Sequence, residues 1–215
     1  MLRSEVRKAS ISINEVYISI QGEGLLMGLP SLFIRIQGCN IRCPWCDQPS
    51  ALPFKSPSTS LEDLISFIEA YPHKHVVITG GEPFTESSLP ELVKELLRMG
   101  KSVQIETNGT LWQEDLEDVA EKIHITCSPK AVVKWYVHPK VRKYAKELKL
   151  VVDEHLSLDV LLAFEDFLKR SCVVLQPEGN KLKFLEKALD LQSKLLSLGY
   201  EVRVLPQLHK LLGLK

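Results

Sequence analysis

A regular alternation of two kinds of segment most constrains how this 215-residue chain can fold. Runs rich in β-branched residues are typical of strands, and apolar residues with a 3.6-residue period are typical of helices. The strand-like runs are ISINEVYISI, SLFIRIQ, HVVITG, SVQIET, KIHITCS, LKLVV, CVVLQP and EVRVLP, and the helix-like segments cover residues 60–70, 88–100, 156–170 and 180–199. Ser60 is placed to cap the first helix and Gly100 to end the second. Strand, helix, strand in succession predicts βαβ units, so we expect an α/β fold with a mostly parallel sheet.

Glycines and polar residues follow six of the strand-like runs. The segments are QGEG, GCNIRCPWC, GGEP, TNGT, SPK and QPEG. A sheet of about seven strands could be doubly wound or form a partial barrel, and in both cases ligands bind at the carboxyl ends of the parallel strands. Any one of these loops alone is an ordinary turn. Their shared position predicts a functional site at that edge of the sheet.

Composition limits the class of partner. Lys and Arg together number 27, as do Asp and Glu, so no broad basic surface for duplex nucleic acid is expected. The first ten residues lack the apolar run of a signal peptide, and no segment has the roughly 20 apolar residues of a membrane-spanning helix. We therefore expect a cytoplasmic protein with no direct nucleic-acid or membrane partner. Of the five cysteines, Cys127 and Cys172 lie inside apolar runs and are predicted to be core residues.

The other three cysteines lie close together on one loop, with the spacing C-x3-C-x2-C. In a reducing cytosol, such a group indicates metal or redox chemistry rather than disulfides. Cys39, Cys43 and Cys46 could converge on one inorganic cluster. Because a 4Fe-4S cluster usually takes four thiolates, three would leave one iron open to a substrate or cofactor. A zinc site completed by Asp47 or a distant His, and three buried thiols, remain as alternatives.

CNIRCPWC resembles the cluster motif of the radical S-adenosylmethionine (SAM) superfamily, in which three cysteines hold a 4Fe-4S cluster and SAM binds the fourth iron. Other motifs make the chain similar to the 7-carboxy-7-deazaguanine synthase family; they are QGEG (21–24), TGGEP (79–83), ETNGT (106–110), SPK (128–130), LQPEG (175–179) and PQLHKLLGL (206–214). The cluster motif and GGEP specify only the superfamily, whereas QGEG, SPK, LQP and the late HK specify the family. The resemblance implies a partial, incomplete TIM-like barrel and one radical SAM domain over residues 1–215.

The resemblance also implies a reaction on the path to deazapurine nucleosides such as queuosine. The substrate is 6-carboxy-5,6,7,8-tetrahydropterin; its ring contracts, ammonia leaves and 7-carboxy-7-deazaguanine forms. In the family, a radical derived from SAM takes a hydrogen from C6 of the pterin, and a late step returns it so that SAM is regenerated. The cofactor supplies this chemistry, and the protein supplies placement and exclusion of side reactions.

Site residues follow from the matched motifs. The residues implied to bind SAM are Trp45, Asp47, Gly81, Ser128, Pro129, Lys130, Gln176, Pro177, Glu178 and Gly179. Those implied to bind the pterin are Ile20, Gln21, Gly22, Arg35, Thr79 and Lys215, the last through its α-carboxylate. Arg35 offers a planar fork that matches a carboxylate, although by itself it could equally be a surface salt bridge. Glu82 is expected to serve either the SAM ammonium or the fold.

Gln48 marks a departure from the family pattern. Family members carry a hydroxyl residue there that is a ligand of a Mg2+ ion bridging to the substrate. A glutamine amide oxygen can bind Mg2+, but the extra length conflicts with the near-octahedral geometry that this ion demands. We therefore expect a weaker Mg2+ site at Gln48, or a direct hydrogen bond from its amide to the pterin carboxylate.

The family further implies an electron donor such as flavodoxin or ferredoxin, and a homodimer. Two other classes of function remain open from the residues. One is a radical SAM activating enzyme for a glycyl-radical enzyme, which SPK, LQP and the late HK disfavour. The other is a non-catalytic zinc-binding module, which leaves GGEP and QPEG unexplained.

Overall fold

The fold is an open, barrel-like sheet surrounded by helices, seen in a computed structural model that describes residues 9–214. The strands are β1 (Ser10–Ile11), β2 (Ile13–Ile20), β3 (Pro30–Ile36), β4 (Thr59–Ser60), β5 (His75–Gly80), β6 (Ser102–Thr107), β7 (His124–Cys127), β8 (Glu147–Val152), β9 (Val173–Pro177) and β10 (Arg203–Val204). The helices are α1 (Leu61–Glu69), α2 (Leu89–Arg98), α3 (Pro139–Tyr144), α4 (Leu158–Leu162), α5 (Glu165–Lys169), α6 (Leu182–Ser197) and α7 (Leu208–Leu212).

Eight strands form the main sheet in the order β10-β9-β8-β7-β6-β5-β3-β2, while β1 and β4 pair separately. From β3 to β10 every neighbouring pair is parallel and the order follows the sequence without reversal. A doubly wound sheet would reverse its order at a switch point. The predicted fold class, a mostly parallel partial barrel, is therefore confirmed.

The first long strand departs from the parallel pattern. β2 pairs antiparallel with β3, so that Ile20 lies opposite Pro30 at the start of β3. QGEG therefore follows β2 at the amino-terminal edge of the parallel strands, and the expectation that it lies at the carboxyl edge is wrong. Antiparallel strands need only a short connection, and the nine residues from Gln21 to Leu29 provide it here.

The predicted helix over residues 156–170 is also corrected, because the structure divides it into α4 and α5. Phe164 leaves helical dihedral angles (φ −107°, ψ 35°) and is buried in the core. Tertiary burial of Phe164 and Phe167 overrides the local helical pattern. The other predicted helices are present, and the Ser60 side chain accepts a hydrogen bond from the Asp63 amide as a helix cap should.

The pleat of the sheet determines which side chains face the inside of the barrel. Alternate residues on β3, β5 and β6 point to the concave face, and Arg35 is in register with Thr79, next to Glu106 on the following strand. Their partners in sequence, such as Ile34 and Ile78, are fully buried on the opposite face beneath the helices. The interior of the barrel thus carries polar and charged groups beside apolar ones such as Phe33 and Val151, and the apolar core lies between sheet and helices. No helix among residues 9–214 is long and apolar enough to cross a membrane.

Candidate active site

A cavity of about 220 Å³ occupies the inside of the barrel and opens toward the loop that carries the three cysteines. Of the residues singled out from the sequence, the cavity wall includes Ile20, Gln21, Gly22, Arg35, Cys39, Cys43, Trp45, Cys46, Asp47, Gln48, Thr79, Gly81, Ser128, Lys130 and Gln176. The motifs that lie far apart in the sequence therefore meet around one space.

Some predicted site residues do not line this cavity. Pro129, Pro177, Glu178 and Gly179 are absent from its wall, although each adjoins a loop that reaches it. Lys215 lies outside the described residues. Their roles stay predictions.

The loop with the three cysteines is held at its base by backbone hydrogen bonds. Gly38 N donates to Ala51 O at 2.8 Å, and Cys39 N donates to Leu52 O at 3.1 Å. All three thiols are free and all three line the cavity. Burial raises the pKa of the Cys39 and Cys43 thiols, so loading with a metal must displace protons from them.

The GGEP segment after β5 packs directly against this loop. A Cβ on Gly80, which has φ +140°, would collide with the backbone of Ile36, and a Cβ on Gly81 would collide with Gly38 O. Only glycine permits that approach. The two glycines thus allow the segment after β5 to pack directly against the base of the cysteine loop.

Glu82 serves the fold. Its buried carboxylate accepts hydrogen bonds from Thr107 Oγ1 (2.7 Å), Asn108 N (2.7 Å) and Phe84 N (3.1 Å). Burial raises the pKa of Glu82, and the hydrogen bonds oppose that shift. The residue ties the end of β6 to the end of β5, which is the fold role expected from the sequence; contact with the SAM ammonium stays a prediction.

Lys130 and Trp45 form the part of the cavity wall that lies near the cysteines. Lys130 Nζ donates to Ser128 Oγ at 2.6 Å and lies 5.8 Å from the centre of the Trp45 ring. Trp45 Nε1 donates to Asp153 Oδ2 at 3.0 Å, which fixes the plane of the indole. Burial lowers the pKa of Lys130. This wall offers a cation and a flat apolar surface side by side.

Arg35 reaches the cavity with part of its fork already engaged. Its Nε donates to Glu15 Oε1 and its Nη2 to Tyr17 OH, both at 2.8 Å. The Tyr17 ring stacks on Phe33 at 4.9 Å, and burial raises the pKa of Tyr17 to about 12. The guanidinium is therefore held rigidly at the wall of the cavity.

The floor of the cavity contains ionisable residues that were not singled out from the sequence. Lys149 bonds to Glu23 and lies 3.4 Å from Glu106 Oε2. Gln21 Nε2 donates to Glu106 Oε1 at 3.0 Å. Glu23 and Glu106 belong to the quoted motifs QGEG and ETNGT, and a lysine within the fully buried run ELKLVV is the signal that could have revealed Lys149.

The C-terminal segment closes the gap between the two edges of the open barrel. Leu208 N donates to Gly22 O at 2.9 Å, and a Cβ on Gly22 would lie 2.5 Å from His209 Nδ1. Gln207 Nε2 donates to Glu23 Oε1 at 2.9 Å, and Lys210 Nζ lies 3.2 Å from Asp47 Oδ2. The late HK motif therefore joins QGEG to the cysteine loop.

The donor set on the loop suits an iron-sulfur cluster. Three free thiols face the cavity at this point, and soft thiolates are the ligands that such clusters take. Within residues 9–214, no three His, Cys, Asp or Glu side chains surround one ion-sized point. A 4Fe-4S cluster does not require that arrangement, because each thiolate binds a different iron.

Comparison with known proteins identifies the superfamily to which the chain belongs. The family model of the radical SAM superfamily matches residues 33–169. Streptococcus suis SuiB with bound S-adenosylmethionine shares the fold, with a TM-score of 0.55 at 15% identity over 78% of this chain and 44% of that one. The chain belongs to the radical SAM superfamily, for which a 4Fe-4S cluster and SAM are the implied cofactors.

More similar relatives narrow the family. The 7-carboxy-7-deazaguanine synthase of Aquifex aeolicus is 60% identical over the whole of both chains, and that of Thermoplasma acidophilum is 34% identical over 93% of this chain and 96% of its own. The crystal structure of QueE from Escherichia coli matches with a TM-score of 0.69 and 28% identity, covering 91% of this chain and 93% of that one. Within the superfamily, the chain belongs to the 7-carboxy-7-deazaguanine synthases, as its motifs predicted.

Proposed function

We propose that the protein converts 6-carboxy-5,6,7,8-tetrahydropterin to 7-carboxy-7-deazaguanine with release of ammonia. The observation that carries the proposal is one cavity that joins the three cysteines to a barrel interior with Arg35, Thr79 and Glu106 on its wall. Bound at the cysteines, the cluster and SAM would supply the radical chemistry. The remaining tasks, which are binding, orientation and exclusion of water, belong to the side chains of the chain itself.

The cavity has complementary groups for both ends of a carboxylated pterin. Arg35 is suited to the carboxylate, because its fork is rigid and charged. Glu106 and the Gln21 amide oxygen offer acceptors to the N–H edge of the heterocycle, while the Gln21 Nε2 group is already bonded to Gln104 and Glu106. Arg35 and Glu106 lie two strands apart, about 10 Å at the usual strand spacing, with Thr79 between them. We propose that the bicyclic ring lies between these groups.

The SAM end lies at the mouth of the cavity. Trp45 presents its face, and Ser128, Lys130 and Gln176 present polar atoms beside the cysteines. Gln176 Oε1 is buried without a hydrogen-bond partner in the part of the chain that is described. A buried acceptor without a partner is costly, and a donor of the cofactor would satisfy it.

The proposal is tested with anaerobically reconstituted and reduced protein. We expect a brown protein with absorption near 400 nm, which forms 7-carboxy-7-deazaguanine from the carboxypterin and SAM. A tetrahydropterin without the 6-carboxyl group serves as the matched control and should not be turned over. A colourless zinc protein, or equal use of both pterins, would contradict the proposal.

We further propose that Mg2+ matters less here than the family pattern implies. Gln48 lines the cavity and its side chain makes no capping bond to the helix turn that follows it. Its neutral amide can bond to the pterin carboxylate directly. Turnover should fall only modestly in EDTA, and Gln48→Thr should increase the response to added Mg2+. Abrupt loss on chelation, restored by Mg2+, would show a working metal site.

The remaining predictions concern assembly and supply of electrons. We propose a homodimer, since α6 presents Leu182, Leu185, Leu189 and Leu196 as exposed residues along one face, which a second copy would cover. Sedimentation of Leu189→Lys tests this, and an unchanged dimer would contradict the assignment of the interface to that face.

A small electron carrier such as flavodoxin or ferredoxin is the proposed reductant, and the cytoplasm is the proposed location.

A further inference from the structure

Two carboxylates and one ammonium share the floor of the cavity. Lys149 Nζ bonds to Glu23 Oε2 and lies 3.4 Å from Glu106 Oε2. Lys149 is only 4% exposed, so its charge is removed from water and is balanced by these two groups and by the fully buried carboxylate of Glu147 on the same strand. The sharing is unequal, since the direct ion pair is with Glu23.

Each carboxylate has a second set of contacts, and the two sets differ. Glu23 is held on its other oxygen by Gln207 Nε2 at 2.9 Å, with His209 Nδ1 at 4.0 Å. Glu106 accepts a hydrogen bond from Gln21 Nε2 at 3.0 Å, and no contact between Glu106 and the C-terminal segment is seen within residues 9–214. Glu23 is therefore tied into the C-terminal segment, whereas Glu106 faces the open cavity.

The electrostatics follow the geometry. Burial alone would raise the pKa of Glu23, but Lys149 and the hydrogen bonds lower it to about 2. Burial raises the pKa of Glu106, Lys149 opposes that rise, and the neighbouring carboxylates of Glu23 and Glu147 add to it. Two carboxyls whose surroundings separate their pKa values can perform different tasks.

We infer that Lys149 is a positioning residue of the substrate cavity: it fixes the Glu23 carboxylate as the anchor of the C-terminal segment and leaves Glu106 facing the substrate. The substrate part of this inference rests on the proposed function. Lys149 acts through the two carboxylates and touches neither the cysteine loop nor the SAM wall in the contacts described.

Replacement of Lys149 by Met removes the charge at similar length. Glu23 then lacks its cation, takes up a proton shared with Glu106, and no longer holds Gln207 in place. We expect the dissociation constant for the carboxypterin to rise about 10- to 100-fold and that for SAM to change less than about threefold. Lys149→Arg keeps the charge and should restore most of the affinity.

The pH dependence separates positioning from simple loss of structure. In Lys149→Met, raising the pH removes the shared proton and restores an acceptor, so pterin affinity should recover from pH 6 to pH 9. The variant Lys149→Met/Glu23→Gln also removes the Glu23 charge that raises the pKa of Glu106, so pterin affinity should recover at a lower pH than in Lys149→Met. It also keeps the test available if Lys149→Met does not fold.

Hydrogen exchange in the protein without substrate provides a readout independent of the reaction. The Leu208 amide, bonded to Gly22 O, should exchange at least about tenfold faster in Lys149→Met and near the wild-type rate in Lys149→Arg. Wild type that fails to bind the pterin, with this exchange pattern intact, would overturn the proposed function but not the anchoring role. Unchanged exchange in Lys149→Met, or equal loss of pterin and SAM affinity, would overturn the role of Lys149.

Discussion

The cysteine loop and the cavity floor are built in opposite ways. The loop draws its functional groups from eight consecutive residues, held by backbone hydrogen bonds at its base. The floor draws single side chains from β6, β8, the QGEG segment and the C-terminal segment. A local motif tolerates change elsewhere in the fold, whereas the floor depends on the register of several strands. We therefore expect loss of a single thiolate to abolish cluster binding at the loop. Loss of a single contact in the floor should weaken substrate binding without abolishing it.

The largest expected effect is at the loop. Cys43→Ala leaves two thiolates, which should not hold the cluster, so bound iron and turnover should fall to background. Iron analysis after anaerobic reconstitution measures this. Cys172→Ala is the matched control, because Cys172 is a core thiol away from the cavity, and it should retain iron. Full iron content and turnover in Cys43→Ala would contradict the cluster assignment.

A smaller effect is expected from Arg35→Ala on the cavity wall. Loss of a charge-assisted contact should weaken pterin binding about 10- to 100-fold. SAM binding and cleavage should survive, because Arg35 contacts Glu15 and Tyr17 rather than the loop. Arg98→Ala, at an exposed pair on α2, is the control. Parallel loss of SAM affinity would remove Arg35 from its assigned role.

Glu82 connects the two regions and should affect stability more than binding. Glu82→Gln replaces one acceptor oxygen with an NH2 group that faces either Asn108 N or the pair Phe84 N and Thr107 Oγ1, which should cost about 1–3 kcal/mol of unfolding free energy. Urea denaturation measures it. Glu95→Gln, at the exposed pair with Arg98, should cost less than about 0.5 kcal/mol. A Glu82→Gln protein as stable as wild type would show that these contacts are weak.

The smallest effect concerns His75, beneath the cavity. Its Nε2 lies 3.1 Å from Gln104 Oε1, and burial lowers the pKa of His75. Below the ordinary histidine pKa of about 6.5 the unfolded chain takes up a proton that the folded protein resists. Stability should therefore be full above that pH and fall on acidification, by at most about 1.4 kcal/mol per pH unit from this group. His75→Gln should remove that part of the slope between pH 8 and pH 5; an identical slope in both proteins would contradict it.

The contrast between loop and floor also explains what the sequence could reveal. Cys39, Cys43, Cys46 and the glycines of GGEP are visible because their spacing is local. The alternation of runs predicted the parallel sheet, but not that β2 is antiparallel, since a strand's direction depends on its partner. Lys149 was not predicted, because its role depends on contact with Glu23, which lies 126 residues earlier in the chain.

Turnover with a full balance of products tests the central claim most directly. Reduced, cluster-loaded protein is incubated with SAM and 6-carboxy-5,6,7,8-tetrahydropterin, and 7-carboxy-7-deazaguanine, ammonia and remaining SAM are quantified. We predict equal amounts of 7-carboxy-7-deazaguanine and ammonia over many turnovers, with no matching loss of SAM. Steady consumption of SAM with neither product formed would contradict the account.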